Sequence, residues 1–354
     1  MDRIEVAVGA AAYPVLVGPG ALSQLPALTA SHRRLAVLAD SAFDPITTRL
    51  PMPSDSQISW FSMPGGEQAK TLKGLATVLD WLESSRIGRD GCLIVLGGGS
   101  LGDLGGLAAS IWQRGIAVYQ VPTTLLAMVD SSIGGKTGIN TDVAKNAIGT
   151  IWQPAGVVAD LDLLFSLPAG EFQAAFGEVV KYAVAMDPEL FQLLLGDRDR
   201  LLARDPEVLQ AVVGRCIRAK AGVVATDERD ETGVREILNY GHTVAHGIES
   251  ATGFRAAHGR AVAQGMRVAA RISHRMGLCD SDLVSAQDSL LTAYGLPGEL
   301  PRADPTDVLA ALPSDKKVRG GSIRWVLPRE LGRAETGHQV PVETVREVLA
   351  EVIG

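Results

Sequence analysis

The spacing of apolar positions changes character near the middle of the chain. In the first half, short apolar runs alternate with stretches of helical period. "RLAVLAD" (34–40) is a β-rich run closed by Asp40, and "GLATVLDWLESSRI" (74–87) spaces its apolar residues as one helix face requires. "CLIVLGGGSLGDLGGLAASIWQRG" (92–115) reads as buried strand, glycine turn and helix, and "IAVYQVPTT" (116–124) as the next strand. This alternation predicts βαβ units around a mostly parallel sheet. The opening "MDRIEVAVGAAAYPVLVG" reads as a first strand pair. An acid at position 2, no basic segment and a proline in the apolar part set it apart from a signal peptide. After about residue 168 the period is helical, over 171–185, 187–195, 206–226, 235–252, 259–276 and 280–294, and strand signal returns only at "SIRWVLP" (322–328). The pattern therefore predicts an α/β domain over residues 1–168 and a mainly α-helical domain over 169–354.

Composition narrows this picture without changing it. A length of 354 residues suits two domains, and 46% hydrophobic with 21% charged residues is ordinary for a soluble globular protein. No run approaches the roughly 18 apolar residues of a membrane span. A net charge of −7 argues against general nucleic-acid binding, which favours a basic face. The cysteines Cys92, Cys216 and Cys279 form no CxxC pair and are too scattered for a disulfide framework, which fits a reducing, cytoplasmic setting.

Four stretches carry candidate chemistry. "GGGSLG" (97–102) matches GxGxxG between a strand and a helix, where glycines admit a pyrophosphate and the helix N-terminus favours its charge. The acid expected about 20 residues further on is missing, so a plain tight turn competes with nucleotide binding. Asp40, ending an earlier strand, offers an alternative ribose partner. "PTTLLAMVDSSIGGKTGINTDVAKNAIG" (122–149) sets Thr123, Thr124, Asp130, Lys136, Asn140, Lys145 and Asn146 among small residues, a density of donors that suits phosphate better than an idle surface loop. "GEVVKYA" (177–183) puts Glu178 and Lys181 on one helix face among apolar neighbours; the plain alternative is an exposed ion pair. "NYGHTVAHGIES" (239–250) holds His242 and His246 one turn apart, and His258 follows. Glu178, His242 and His258 would make the His₂Glu set of a catalytic zinc site. The spacing alone equally allows core or surface histidines.

Taken in order, "GGEQAK", "GGGSLGDLGGLAASIWQRG", "VPTTLLAMVDSSIGGKTGIN", "KNAIG", "GEVVKYA", "LNYGHTVAHGIE", "HGRAV" and "DKK" resemble the 3-dehydroquinate synthase family of sugar phosphate cyclases over nearly the whole chain. The resemblance implies a Rossmann-like NAD-binding α/β domain, an all-α metal-binding domain and a homodimer. It implies that Glu178, His242 and His258 hold Zn²⁺ or Co²⁺. By matching position, Asp40, Glu67, Lys70, Gly98, Gly99, Asp103, Thr123 and Thr124 would contact NAD⁺, with Lys136 and Lys145 nearby. Asp130, Lys136, Lys145, Asn146, Lys181 and Lys220 would line the substrate pocket, together with Arg235, Asn239, His246 and Lys316. Arg114 would reach across the dimer to the neighbouring site. The implied reaction oxidises one hydroxyl of 3-deoxy-D-arabino-heptulosonate 7-phosphate, eliminates phosphate, returns the hydride and closes a carbocycle, leaving NAD⁺ regenerated.

Three features depart from the family pattern. Arg260 stands where the family run "HGE" has its acid, the stretch from Lys220 to Arg235 is one residue longer than usual, and "NTDVAKN" lacks a customary His-Pro. These leave room for a sister activity such as aminodehydroquinate synthase. Two other classes stay open: a metal-dependent, NAD-linked polyol dehydrogenase, and a cyclase-like scaffold without catalysis. The pocket lysines argue against the first, since a simple alcohol needs no phosphate cage.

Overall fold

The computed structural model describes residues 1–9, 11–43, 50–141, 144–312, 318–319 and 322–354, with backbone alone at 318, 319 and 322. These residues divide into two compact units, one of Met1–Leu167 with Leu209–Arg229, the other of Pro168–Val208 with Asp230–Gly354. The sequence predicts a single boundary near residue 168; the segment Leu209–Arg229, on the helix Pro206–Thr226, groups with the N-terminal unit.

The first unit is built on a seven-stranded sheet. Its strands are β1 (Asp2–Val8), β2 (Ala11–Gly18), β3 (Arg34–Asp40), β4 (Gln57–Met63), β5 (Cys92–Gly97), β6 (Ala117–Pro122) and β9 (Gly156–Asp160), in the order β1-β2-β9-β6-β5-β3-β4. Only β1 and β2 pair antiparallel within it; the remaining neighbours are parallel. β5 and β9 are buried at every position, as central parallel strands covered on both faces should be. Leu93 and Val95 of β5 pack with Leu101, Leu104 and Ala108 of the helix Gly99–Ile111 and with Val78 and Leu82 of the helix Leu72–Ser84. A separate hairpin, β7 (Lys136–Ile139) with β8 (Ile148–Ile151), lies in and just beyond the donor-rich stretch 122–149, where the sequence pattern predicts no strand. Its small residues gave no clear alternation.

The second unit is chiefly helical: Ala169–Ala185, Pro188–Gly196, Arg198–Leu202, His242–Ala251, His258–Arg275, Ser281–Ala293, Pro305–Ala311 and Val342–Ile353. The continuous helix predicted over 235–252 is broken in two. Gly241 adopts φ +79, so a 3₁₀ turn (Val234–Asn239) ends and a new helix starts at His242. A late hairpin, Trp325–Glu330 with Arg333–His338, takes up residues 325–328 of the strand predicted over 322–328, while Ser322–Ile323 pairs separately with Val318–Arg319. No helix among the described residues is long and apolar enough to cross a membrane.

Candidate metal centre and nucleotide cradle

Three segments of the helical unit bring their chemistry together through contacts that exclude side chains. A Cβ added at Gly177 would lie 2.0 Å from the Gly259 carbonyl oxygen, and one at Gly259 would lie 1.9 Å from that of Ala174. The helices Ala169–Ala185 and His258–Arg275 thus meet backbone to backbone beside Glu178 and His258. A Cβ at Gly265 would lie 1.9 Å from the Gly241 carbonyl oxygen, which holds the start of the His242 helix against the same partner.

The result is a converging set of donors. Ligand atoms of Glu178, His242 and His258 all lie within 4.8 Å of one another. Glu178 Oε1 is 3.2 Å from His242 Nε2 and 3.1 Å from His258 Nε2, while Oε2 meets the Lys181 ammonium. Glu178 is fully buried, Lys181 is 1% exposed and His242 8%. The far nitrogens are also engaged: His242 Nδ1 lies 3.2 Å from the Tyr240 carbonyl oxygen and His258 Nδ1 3.3 Å from Glu249 Oε1.

The electrostatics follow from that packing. Burial alone would push the Glu178 carboxyl up, but Lys181 and His242 beside it, with hydrogen bonds from both histidines, hold it well below the usual carboxylate range. Burial brings His242 down to about 4, against the pull of Glu178, so it is neutral with a lone pair to offer. Burial works against the charged form of His258 too, yet hydrogen bonds with Glu178 and Glu249 lift it to about 10. A cation entering here would take the place of that proton. One buried carboxylate, one buried imidazole and the half-buried imidazole of His258 make a chemically suitable donor set for Zn²⁺.

Other expected residues of this unit are distributed as follows. Arg235 is 1% exposed within the 3₁₀ turn, and Asn239, half-buried, ends it. His246 is half-buried, with its ring centroid 5.6 Å from that of His242. Arg260 Nη1 donates to the Pro297 carbonyl oxygen at 2.8 Å and Nη2 to Gln173 Oε1 at 3.4 Å. Lys316 lies outside the described residues.

In the first unit the expected nucleotide-contacting residues gather at the carboxyl ends of the parallel strands, where ligands of open α/β sheets bind. Gly98 and Gly99 follow β5 and open the helix Gly99–Ile111. A Cβ on Gly99 would meet Ser131 Oγ at 2.7 Å, and one on Gly98 would meet Thr124 at 3.2 Å. That leaves a backbone surface at a helix N-terminus, suited to a pyrophosphate. Asp40, at the end of β3, accepts from the backbone N–H of Ala42 at 3.1 Å and of Gly65 at 3.3 Å. The Glu67 carboxylate accepts from Ser100 Oγ and Asn140 Nδ2, both at 2.7 Å, and Lys70 is ion-paired with Asp103. Burial raises the Asp103 carboxyl, and Lys70 only partly offsets it. Thr123 is buried after β6 and its N–H donates to the Gly97 carbonyl oxygen at 3.0 Å; Thr124 Oγ1 caps a π-helical turn (Ala127–Ser131) at Ala127.

That turn carries Asp130, whose side chain and carbonyl oxygen accept from Lys220 Nζ at 2.7 and 2.8 Å. Lys220 is therefore already paired with an acid of its own unit, which the sequence did not indicate. Lys136 is exposed on β7, Lys145 half-buried, and Asn146 is exposed at φ +52 with its N–H on Asn140 Oδ1 at 2.9 Å. Arg114 is exposed at the end of a turn in which Gln113, Arg114 and Gly115 have φ of +51, +64 and +116. Non-glycine residues in this region cost energy and cluster at functional positions.

Sequence reading passed over Glu249, Ser100 and the Tyr240 carbonyl. Glu249 had a signal: it stands seven residues after His242, on the same helix face.

A parallel sheet with a glycine turn at its strand ends, together with a His₂Glu cluster of two buried residues and a half-buried one in a helical unit, defines a scaffold equipped for a nucleotide and a metal. Residues 60–174 match the family profile described as 3-dehydroquinate synthase N-terminal, and residues 175–318 the one described as 3-dehydroquinate synthase C-terminal. A 3-dehydroquinate synthase of Acidithiobacillus ferrooxidans is 42% identical over 360 aligned positions, covering 99% of this chain and 98% of that protein. Among solved structures, a 2-epi-5-epi-valiolone synthase from Streptomyces hygroscopicus with NAD⁺ and Zn²⁺ bound superposes with a TM-score of 0.88 at 26% identity, covering 98% of each chain. A 2-deoxy-scyllo-inosose synthase complexed with carbaglucose-6-phosphate, NAD⁺ and Co²⁺ gives 0.87 at 26% identity, covering 99% of this chain and 100% of that one. The chain belongs to the 3-dehydroquinate synthase family.

Proposed function

We propose that this enzyme is a phosphate-eliminating cyclase that converts 3-deoxy-D-arabino-heptulosonate 7-phosphate into 3-dehydroquinate and phosphate, with catalytic NAD⁺ and a divalent metal. The observation that carries the reading is the convergence of Glu178, His242 and His258 within 4.8 Å, in a chain whose full length matches synthases of that name. The metal, held by those three residues, would polarise the substrate hydroxyl that is oxidised. NAD⁺ would take a hydride from the substrate and return it, so that none is consumed. The donor set of one carboxylate and two imidazoles suits Zn²⁺ and Co²⁺ alike.

The chain's own residues supply the rest. Gly98 and Gly99 would receive the dinucleotide's pyrophosphate, with Asp40, Glu67, Lys70, Asp103, Thr123 and Thr124 around it. Lys136, Asn146, Lys181 and His246 would hold the substrate phosphate, with Lys145 and Lys316 as further cations. Buried Lys181 and Arg235 are suited to binding the substrate's two anionic groups, because charges without water attract an anion strongly. Arg235 would hold the substrate carboxylate through its planar fork, with Asn239, Lys220 and Asp130 completing the pocket. Lys220 reaches that task only in exchange for part of its pairing with Asp130. Arg260 was one of the three features that left room for an amino-substituted substrate. Its guanidinium is committed to Pro297 and Gln173, so it lends that alternative no support.

We further propose a cytoplasmic homodimer. The three free cysteines fit a reducing compartment, and a strained, exposed Arg114 fits a side chain aimed at a second subunit. The test of the activity uses the purified protein with Zn²⁺, the heptulosonate phosphate, and NAD⁺ far below the substrate concentration. Phosphate and carbocycle should appear in equal amounts without net NADH absorbance. Stoichiometric NADH without phosphate would replace this reading with that of a polyol dehydrogenase.

A further inference from the structure

His258 lies between two carboxylates. Its Nε2 is 3.1 Å from Glu178 Oε1 and its Nδ1 is 3.3 Å from Glu249 Oε1. Glu249 is 2% exposed, on the helix His242–Ala251. A buried carboxylate is costly unless it is paired, and an imidazole nitrogen facing it serves that need. His242 is backed differently. Its Nδ1 faces a neutral acceptor, the Tyr240 carbonyl oxygen, at 3.2 Å. The two imidazoles thus present the same atom, Nε2, to Glu178 but lean on supports of different charge.

We propose that Glu249 is a positioning residue of the metal centre. Resting on the metal assignment above, the inference is that its carboxylate keeps the proton of His258 on Nδ1 and thereby aims the Nε2 lone pair at the cation. An imidazole has one proton to place when it is neutral, and the partner of the other nitrogen decides where it sits. An ionised carboxylate at Nδ1 fixes the ring orientation and makes Nε2 a better donor than a carbonyl would. Helical spacing explains how one element does two jobs. Residues 242 and 249 are seven apart, so the helix that supplies one ligand also supplies the brace for another. Glu249 itself touches neither substrate nor metal in this role.

The rival reading is a plain buried ion pair that holds two helices together. The two readings differ in what they do to the metal. The experiment measures Zn²⁺ and Co²⁺ dissociation constants by chelator competition for the parent, Glu249→Gln, Glu249→Ala and His242→Ala, with the melting temperature of each metal-free protein alongside. Glu249→Ala should bind Zn²⁺ roughly 10- to 100-fold more weakly than the parent. Glu249→Gln keeps an acceptor oxygen of the same shape and should fall between the two, with metal-free melting close to the parent's. The Co²⁺ absorption bands should shift in both variants as the His258 ring loses its fixed orientation. Parental affinity and an unchanged Co²⁺ spectrum in Glu249→Gln would overturn the inference, even if Glu249→Ala proves too unstable to measure. With strong parental binding that His242→Ala abolishes, such a result removes only the role of Glu249. A parent that binds neither metal removes the metal assignment along with it.

Discussion

Glu178 divides its two oxygens between different tasks: one lies within reach of two imidazole nitrogens, the other meets Lys181. No solvent reaches this carboxylate, so its behaviour is set by its neighbours. The two histidines move in opposite directions: burial takes His242 down, while hydrogen bonds with Glu178 and Glu249 outweigh burial and take His258 up. Arg260 shows how misleading a single position can be when only its sequence neighbours are visible. Near His258 in sequence, it departs from the family pattern and left room for a sister activity; in space it is a clamp on the Pro297 carbonyl. Arg260→Ala should therefore lower stability by about 1–2 kcal/mol, as loss of a charged hydrogen bond does, and leave the Zn²⁺ dissociation constant unchanged. Denaturant titration paired with metal competition checks both halves. That Glu178, His242 and His258 would come together was legible at this scale because their motifs are dense. The Lys220–Asp130 pair was not, since the two residues stand 90 positions apart and nothing local marks either as the other's partner.

Helices and strands were legible where one residue pattern dominated. The strand Arg34–Asp40 has the predicted bounds, and the apolar run of β5 begins at Cys92 as read. Prediction failed where a single backbone angle overrode the period. Gly241 interrupts an otherwise helical pattern over 235–252, and the interruption puts His242 at the first turn of a new helix. The β7–β8 hairpin was hidden by glycines and polar residues, which carry no alternation to read. The contacts between helices were equally invisible, because they depend on what is missing. With a Cβ at position 259 placed 1.9 Å from a backbone oxygen, Gly259→Ala must push two helices apart. We expect a loss of about 1–3 kcal/mol in stability, the usual cost of overpacking, together with weakened Zn²⁺ binding, because Glu178 and His258 ride on the separated elements. Calorimetry of the metal-free protein and chelator competition measure the two effects separately. Unchanged metal affinity in a folded Gly259→Ala protein would mean that the triad tolerates this displacement.

For the whole molecule, the two units carry different equipment: a glycine turn at the ends of parallel strands in one, a cluster of nitrogen and oxygen donors in the other. The division of labour was legible in the switch of period near residue 168. The return of Leu209–Arg229 to the first unit was not, since a helix pattern does not reveal which neighbour it packs against. The proposed dimer makes its own prediction. Arg114→Ala should lower turnover by about 100-fold if its guanidinium stabilises developing charge at a partner's site. Mixing it with an equally inactive Lys181→Ala protein, under conditions of subunit exchange, should restore part of the parental rate. Continued inactivity after exchange is verified by mass would exclude a shared site. The seam between Gly177, Gly259 and the Ala174 carbonyl has no room for a methyl group. Charged groups of the centre have chemical substitutes, since a carboxylate, an imidazole or a thiolate can each bind a cation. A missing methyl has none. Around the centre, the positions with least room for a side chain therefore include two that bear no functional group at all.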